Sequence, residues 1–305
     1  MENQIKQLTE QYDWKWRLQS VSSQLLFHYT GINALKNIFE TKELWASKSD
    51  FLNDYSEIQY IKDVFDKVYN FVKTNYNEEI AGFFELVNSG LEEYFNKKLI
   101  GEEYSQIFVI SLSENNDSLV LWSNYSNIDG YNLHFYSNQI FDVISRQREL
   151  GLFDACYPTK FIYNEQEQLT ILFEEIMRIY HLMREQKLID IDTINQATAI
   201  CQITIETYAM FFKKPVFHQE DEYRIAFIIH DKEKLKNIRY RASNGSLVPY
   251  IALSINDPIC PISGITIGPK NNTDTSLIGL RHFLCHKGYE HIKNNILRSG
   301  IPLRF

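Results

Sequence analysis

The 305-residue sequence has few of the residues that stamp a class on a protein. It holds four cysteines, Cys156, Cys201, Cys260 and Cys285. None forms a CxxC pair and none has a histidine at metal-ligand spacing, which argues against a disulfide scaffold and against zinc. Reduced thiols in a cytoplasmic protein are expected. Basic residues are in deficit, with 31 Lys and Arg against 39 Asp and Glu, a formal net charge of -8. Such a balance opposes a non-specific grip on a nucleic-acid backbone, which needs a basic field. It leaves room for a local basic patch. No apolar run approaches the length of a membrane span, so no membrane partner is expected. The first residues, Met1 to Trp16, are polar and show no signal-peptide core. The GxxxxGK[ST] and GxGxxG phosphate loops, HExxH and the calcium loop are all missing. With 12 glycines and 7 prolines the chain has no linker-like or low-complexity stretch.

What it has is apolar and aromatic bulk: 44% hydrophobic residues, including 19 Tyr and 20 Phe. That is enough for a large core. Periodicity predicts an N-terminal helix within residues 1–24, with Ile5, Leu8, Tyr12 and Trp16 near one face. A strand over Leu25–Tyr29, a short helix carrying Leu35 and Ile38, and a strand over Leu44–Ser47 follow. Residues 56–98 read as helical, broken near Asn75–Asn77. Gln106–Leu112 is apolar on both faces and reads as a central strand. A short helix carries Leu121, Trp122 and Tyr125, and a strand covers Gly130–Tyr136. Pro158 marks the strand over Cys156–Tyr163 as edge-like or bent. Two long helical stretches cover residues 165–187 and 192–212. Strands near 222–229, 238–241, 247–255 and 259–267, a helix near 275–286 and a short terminal strand close the chain. The expectation is an α/β (α+β) fold, one mixed domain over residues 25–305 with helical insertions near 56–98 and 165–212.

One stretch is unusual. Glu220-Asp221-Glu222-Tyr223-Arg224 leads into the apolar run Ile225–Ile229. Read as a strand, it puts Glu220, Glu222 and Arg224 on one face, with Tyr223, Ile225 and Phe227 facing a core. Two carboxylates and a guanidinium at the mouth of an apolar sheet either build a site or form a surface ion-pair ladder. His28, at the end of the first strand, is either a satisfied core imidazole or a neutral ring that holds a ligand hydroxyl. Thr30 could cap the helix after it. The polar loop after Trp45, with Ser47 and Asn53, could grip a phosphate or ribose, or simply enter a helix. Trp122 and Tyr125 share a helix face, as core or as a stacking wall.

These pieces occur in a recognisable order: His28-Tyr29-Thr30, Phe51-Leu52-Asn53-Asp54, Ser111 to Ser113 before Trp122 and Tyr125, Glu220-x-Glu222-x-Arg224, Leu247-Val248-Pro249-Tyr250, Ile267-Gly268-Pro269 and Ser299 to Arg304. The series resembles a bacterial family of unknown function found in mobile and phage-defence regions. That family is similar in turn to ADP-ribosyltransferase-like proteins. The resemblance implies an ADP-ribosyltransferase-like core that uses NAD as co-substrate without a metal. It makes His28 the ribose contact, Glu222 the catalytic carboxylate, and Glu220 the acid that orients the acceptor. Trp45, Trp122 and Tyr125 are all candidates for stacking on nicotinamide. Tyr29, Thr30, Ser47 and Asn53 would line the nucleotide site, and Arg224 would bind a phosphate or neutralise an acid.

The function this implies is a toxin or anti-phage effector that modifies a macromolecule, protein or nucleic acid, or that hydrolyses NAD. An antitoxin or defence-system partner goes with that reading. A non-enzymatic sensor of a nucleotide or phage product is the alternative, and a metal-independent RNase a further one.

Overall fold

The computed structural model describes residues 24–51, 56–99, 106–185, 191–243, 245–255, 260–271 and 273–302, less the side chains of 56–59 and 94–99. The helix expected in residues 1–24, the Asn53 position and Arg304 therefore lie mostly or wholly outside the described residues.

The strands are β1 Leu25–Thr30, β2 Glu43–Lys48, β3 Gln106–Ser113, β4 Tyr131–Tyr136, β5 Ala155–Lys160, β6 Glu222–Ile229, β7 Arg239–Ser243, β8 Ser246–Ser254, β9 Ile262–Ile267 and β10 Ile296–Arg298. The helices are α1 Ile32–Thr41, α2 Ser56–Asn75, α3 Glu78–Leu99, α4 Leu119–Ser126, α5 Ser137–Glu149, α6 Glu165–Glu185, α7 Ile191–Ala209 and α8 Asp274–His286. The α/β character expected from the sequence is what is observed.

Two compact units are distinct. One holds α2, α3, α6 and α7, the two stretches that read as insertions. Its helices present apolar residues at helical spacing, such as Val64, Phe65, Val68 and Val72 on α2 and Leu172, Ile176 and Ile179 on α6, all buried. One polar residue sits among them. Gln168 is fully buried; it accepts from the Tyr60 hydroxyl at 2.7 Å and donates to the carbonyls of Ile162 and Lys213 at 2.5 and 3.0 Å.

The other unit holds all ten strands. They run in the order β10-β9-β4-β1-β3-β2-β8-β7, with β6 paired to β3 and β5 paired to β6. Strand β3 is central, as its two-sided apolar pattern predicts. It gives one edge to β6 along its whole length. Its other edge is shared: Phe108 and Val109 pair with β2, while Ser113 alone pairs with Phe27 of β1. Thus β10-β9-β4-β1 meets the rest of the sheet at a single residue pair. Strand β5, which carries Pro158, pairs only with β6 among the described residues, so the proline lies on an edge.

The main core lies on one face of this sheet. Leu26, Ile110, Leu133, Phe135, Ile225, Phe227 and Ile251 pack there with Leu35 and Phe39 of α1, Ile140, Val143 and Ile144 of α5, and Leu280 and Leu284 of α8. A smaller cluster of Phe27, Tyr29, Leu121 and Trp122, with Leu25 and Ile301 against it, lies between β1 and α4. Helix α5 is absent from the sequence-based reading. The four cysteines are unpaired.

Candidate active site

Where β1 and β3 part, a cavity of about 70 Å³ opens. Phe27, His28 and Tyr29 of β1, Ser111, Leu112 and Ser113 of β3, Leu121 and Tyr125 of α4, and Glu220 and Glu222 line it. Strict alternation would send His28 to the opposite side from its neighbours. All three β1 residues reach the cavity because pairing with β3 stops at Phe27.

His28 is held by a hydrogen bond from Nδ1 to the Ser111 carbonyl at 2.9 Å. A carbonyl only accepts, so the proton is on Nδ1. Burial pushes the His28 pKa below its ordinary value, against the opposing pull of the Ser111 carbonyl. The ring is therefore neutral at pH 7, and Nε2 carries a lone pair able to accept from a hydroxyl.

The acids come from two different conformations. Glu222 begins β6, opposite Ser113, and is buried. Its Oε1 accepts from Arg224 Nη2 at 3.0 Å and from Nε at 3.3 Å. Glu220 is outside the strand, at the end of a 3-10 turn over Pro215–Glu220. This corrects the sequence expectation of one strand face for Glu220, Glu222 and Arg224. Between the acids, Asp221 takes φ 44°, in the left-handed region. The turn is pinned by Ser113, whose Oγ donates to the Glu220 carbonyl at 2.8 Å. Tyr125, 38% exposed, donates its hydroxyl to Glu220 Oε2 at 3.2 Å. All of β6 is buried, so no open polar face exists on it.

The remaining candidates divide. Arg224 sits beside Glu222, between Ser111 and Thr159 in the sheet, and is not among the lining residues. Trp122 is fully buried, packs edge-on against Tyr29 at 4.8 Å, and donates Nε1 to Asp117. That makes it a wall behind Tyr29, and of the three stacking candidates Trp45, Trp122 and Tyr125 only Tyr125 lines the cavity. Tyr29 donates its hydroxyl to the Asn115 carbonyl and accepts from the Ser118 amide. Trp45 lies on β2, stacked on Tyr250 at 4.3 Å, and Ser47 accepts from Arg241. Neither lines the cavity. Thr30 is buried opposite Tyr131 and makes no side-chain cap on α1, whose cap residue is Gly31.

Residues 121–225 match DUF2971, a protein family of unknown function. The DUF2971 match runs from α4 into β6. It takes in Tyr125, Glu220, Glu222 and Arg224, while His28 precedes it. No curated protein and no solved structure matches the chain.

Sequence reasoning did not single out Ser113 as the residue that holds both acids, nor Leu121 as a cavity wall. A serine ending an apolar strand is too common to stand out. Among the described residues no cluster of three or more His, Cys, Asp or Glu is placed to hold a metal ion.

Proposed function

We propose that this protein cleaves the nicotinamide–ribose bond of NAD and passes the ADP-ribosyl group to a macromolecule, in the manner of a toxin or anti-phage effector. One observation carries the reading. A neutral imidazole from the start of the chain and two carboxylates from its second half line one cavity, with a tyrosine beside them. Breaking a glycosidic C–N bond sends the electron pair to the leaving nicotinamide and builds positive charge on the sugar. A fixed carboxylate such as Glu222 stabilises that charge, an effect worth about 3 kcal/mol. His28 Nε2 accepts from a ribose hydroxyl. Glu220 takes the proton of the attacking nucleophile. Tyr125 supplies an aromatic face.

The donors suit the substrate; the volume does not yet. A cavity of about 70 Å³ holds a few waters, whereas ligand pockets run to roughly 300–1,000 Å³. Productive binding thus requires the cavity to widen. A second reading, a non-enzymatic sensor of a nucleotide or phage product, uses the same lining residues for binding alone and needs the same widening.

The test is transfer of label from radiolabelled NAD into cell extract. The unmodified protein should label a macromolecule, or release nicotinamide. Glu222→Gln should lose roughly a hundredfold or more of that rate, with melting temperature as the check on folding. Labelling indifferent to Glu222→Gln removes the catalytic carboxylate. A thermal shift with NAD or ADP-ribose and no turnover supports the sensor instead.

A further inference from the structure

The cavity's two acids are presented by backbone that an ordinary strand would not provide. Glu222 faces Ser113, the last residue of β3. A straight continuation would carry position 220 roughly 6.5 Å farther along, past the end of β3 and away from the cavity. The left-handed turn at Asp221 folds the chain back instead. For a residue with a Cβ that conformation is disfavoured, though least so for Asp and Asn. Something must hold it.

Two of the restraints are local to β3. The Glu114 amide donates to the Asp221 carbonyl at 3.1 Å, and Ser113 Oγ to the Glu220 carbonyl at 2.8 Å. The third comes from the other side of β6. Lys160, the last residue of β5, lies opposite Tyr223. Its Nζ is 2.6 Å from Glu114 Oε2 and 2.7 Å from Asp221 Oδ1. Lys160 does not line the cavity. It ties Asp221, in the turn, to Glu114, just past the end of β3.

We propose that Lys160 is a positioning residue, which by bridging Glu114 and Asp221 locks the left-handed turn that keeps Glu220 and Glu222 on one cavity. Its kinetic consequence rests on the functional reading above; its structural consequence does not. Glycine adopts positive φ freely, so a glycine at position 221 makes the lock unnecessary.

The experiment compares full-length protein with Lys160→Ala, Lys160→Arg and the pair Lys160→Ala/Asp221→Gly. Amide hydrogen exchange across Glu220–Tyr223 is read in each, alongside kcat and KM for NAD. Lys160→Ala should speed exchange there roughly fivefold, with the rest of β6 unchanged. It should lower kcat about tenfold while KM stays within about twofold, the pattern of lost positioning rather than lost binding. Lys160→Arg should keep both near wild type, and the double variant should recover both. Wild-type exchange in Lys160→Ala overturns the proposal. So does a loss that Asp221→Gly fails to rescue. Should wild type leave NAD untouched while the exchange pattern holds, the functional reading falls and the positioning role stands.

Discussion

His134 makes the protein's stability depend on pH in a way that can be measured. It sits on β4, 4% exposed, with its ring edge-on to Phe27 at 5.1 Å and Nε2 within 2.8 Å of Thr266 Oγ1. Desolvation by burial lowers its pKa from 6.5 to about 4. The unfolded chain therefore binds a proton at a pH where the folded one refuses it. Stability rises with pH wherever the unfolded state holds more protons. The contribution is complete above about pH 6.5 and drains away as pH falls through about 4. The gap of about 2.5 pH units, at about 1.4 kcal/mol each, comes to about 3 kcal/mol. His28, whose pKa is also lowered by burial, adds in the same direction. Urea unfolding at about pH 7 and about pH 4.5 reads the loss directly, as a fall in midpoint at constant slope. His134→Gln keeps a polar partner for Thr266 but cannot titrate. It should flatten the pH dependence by most of that amount, about 2–3 kcal/mol over this interval. An equally steep dependence in His134→Gln would refute the assignment, since the proton uptake would then belong elsewhere.

Three further outcomes are expected. Arg224→Met strands the buried Glu222 carboxylate without its guanidinium and should cost about 3–5 kcal/mol by chemical denaturation, most of it regained in Glu222→Gln/Arg224→Met. A single variant as stable as wild type would mean that the ion pair is not what keeps the acid folded inside. Gln168→Leu removes the partners of the Tyr60 hydroxyl and of two carbonyls in the helical unit, and should lower stability by about 3 kcal/mol, visible as a lower melting temperature. Tyr125→Phe deletes one hydrogen bond to Glu220 and keeps the ring. Under the NAD reading it should change turnover less than Tyr125→Ala, and equal losses would argue that the hydroxyl rather than the ring matters.

Much of the fold was legible because its signals are local. The two-sided apolar run of β3 named it central, and Pro158 placed β5 at an edge. Helix α5 was missed although Ile140, Val143 and Ile144 have helical spacing; it follows β4 without an intervening loop, so no breaker marked its start. At the site, strand parity misled at the acids: it placed Glu220 on one strand face with Glu222 and Arg224, where a positive φ at Asp221 intervenes. That turn has no signature in a sequence with no glycine there. Trp45, Trp122 and Tyr125 could not be ranked by spacing, because which aromatic reaches a cavity depends on how strands and helices assemble across the whole unit.

The meeting of β1 and β3 at one rung gives this sheet a natural seam. Widening it leaves the ladders of both half-sheets intact, and the backbone loss is on the order of one or two hydrogen bonds, about 1–3 kcal/mol, to which the His28–Ser111 and Tyr29–Asn115 bonds and the core contacts shared by the two halves add. A guest larger than the space now present must therefore bring enough buried surface to offset those lost contacts as it wedges the seam apart.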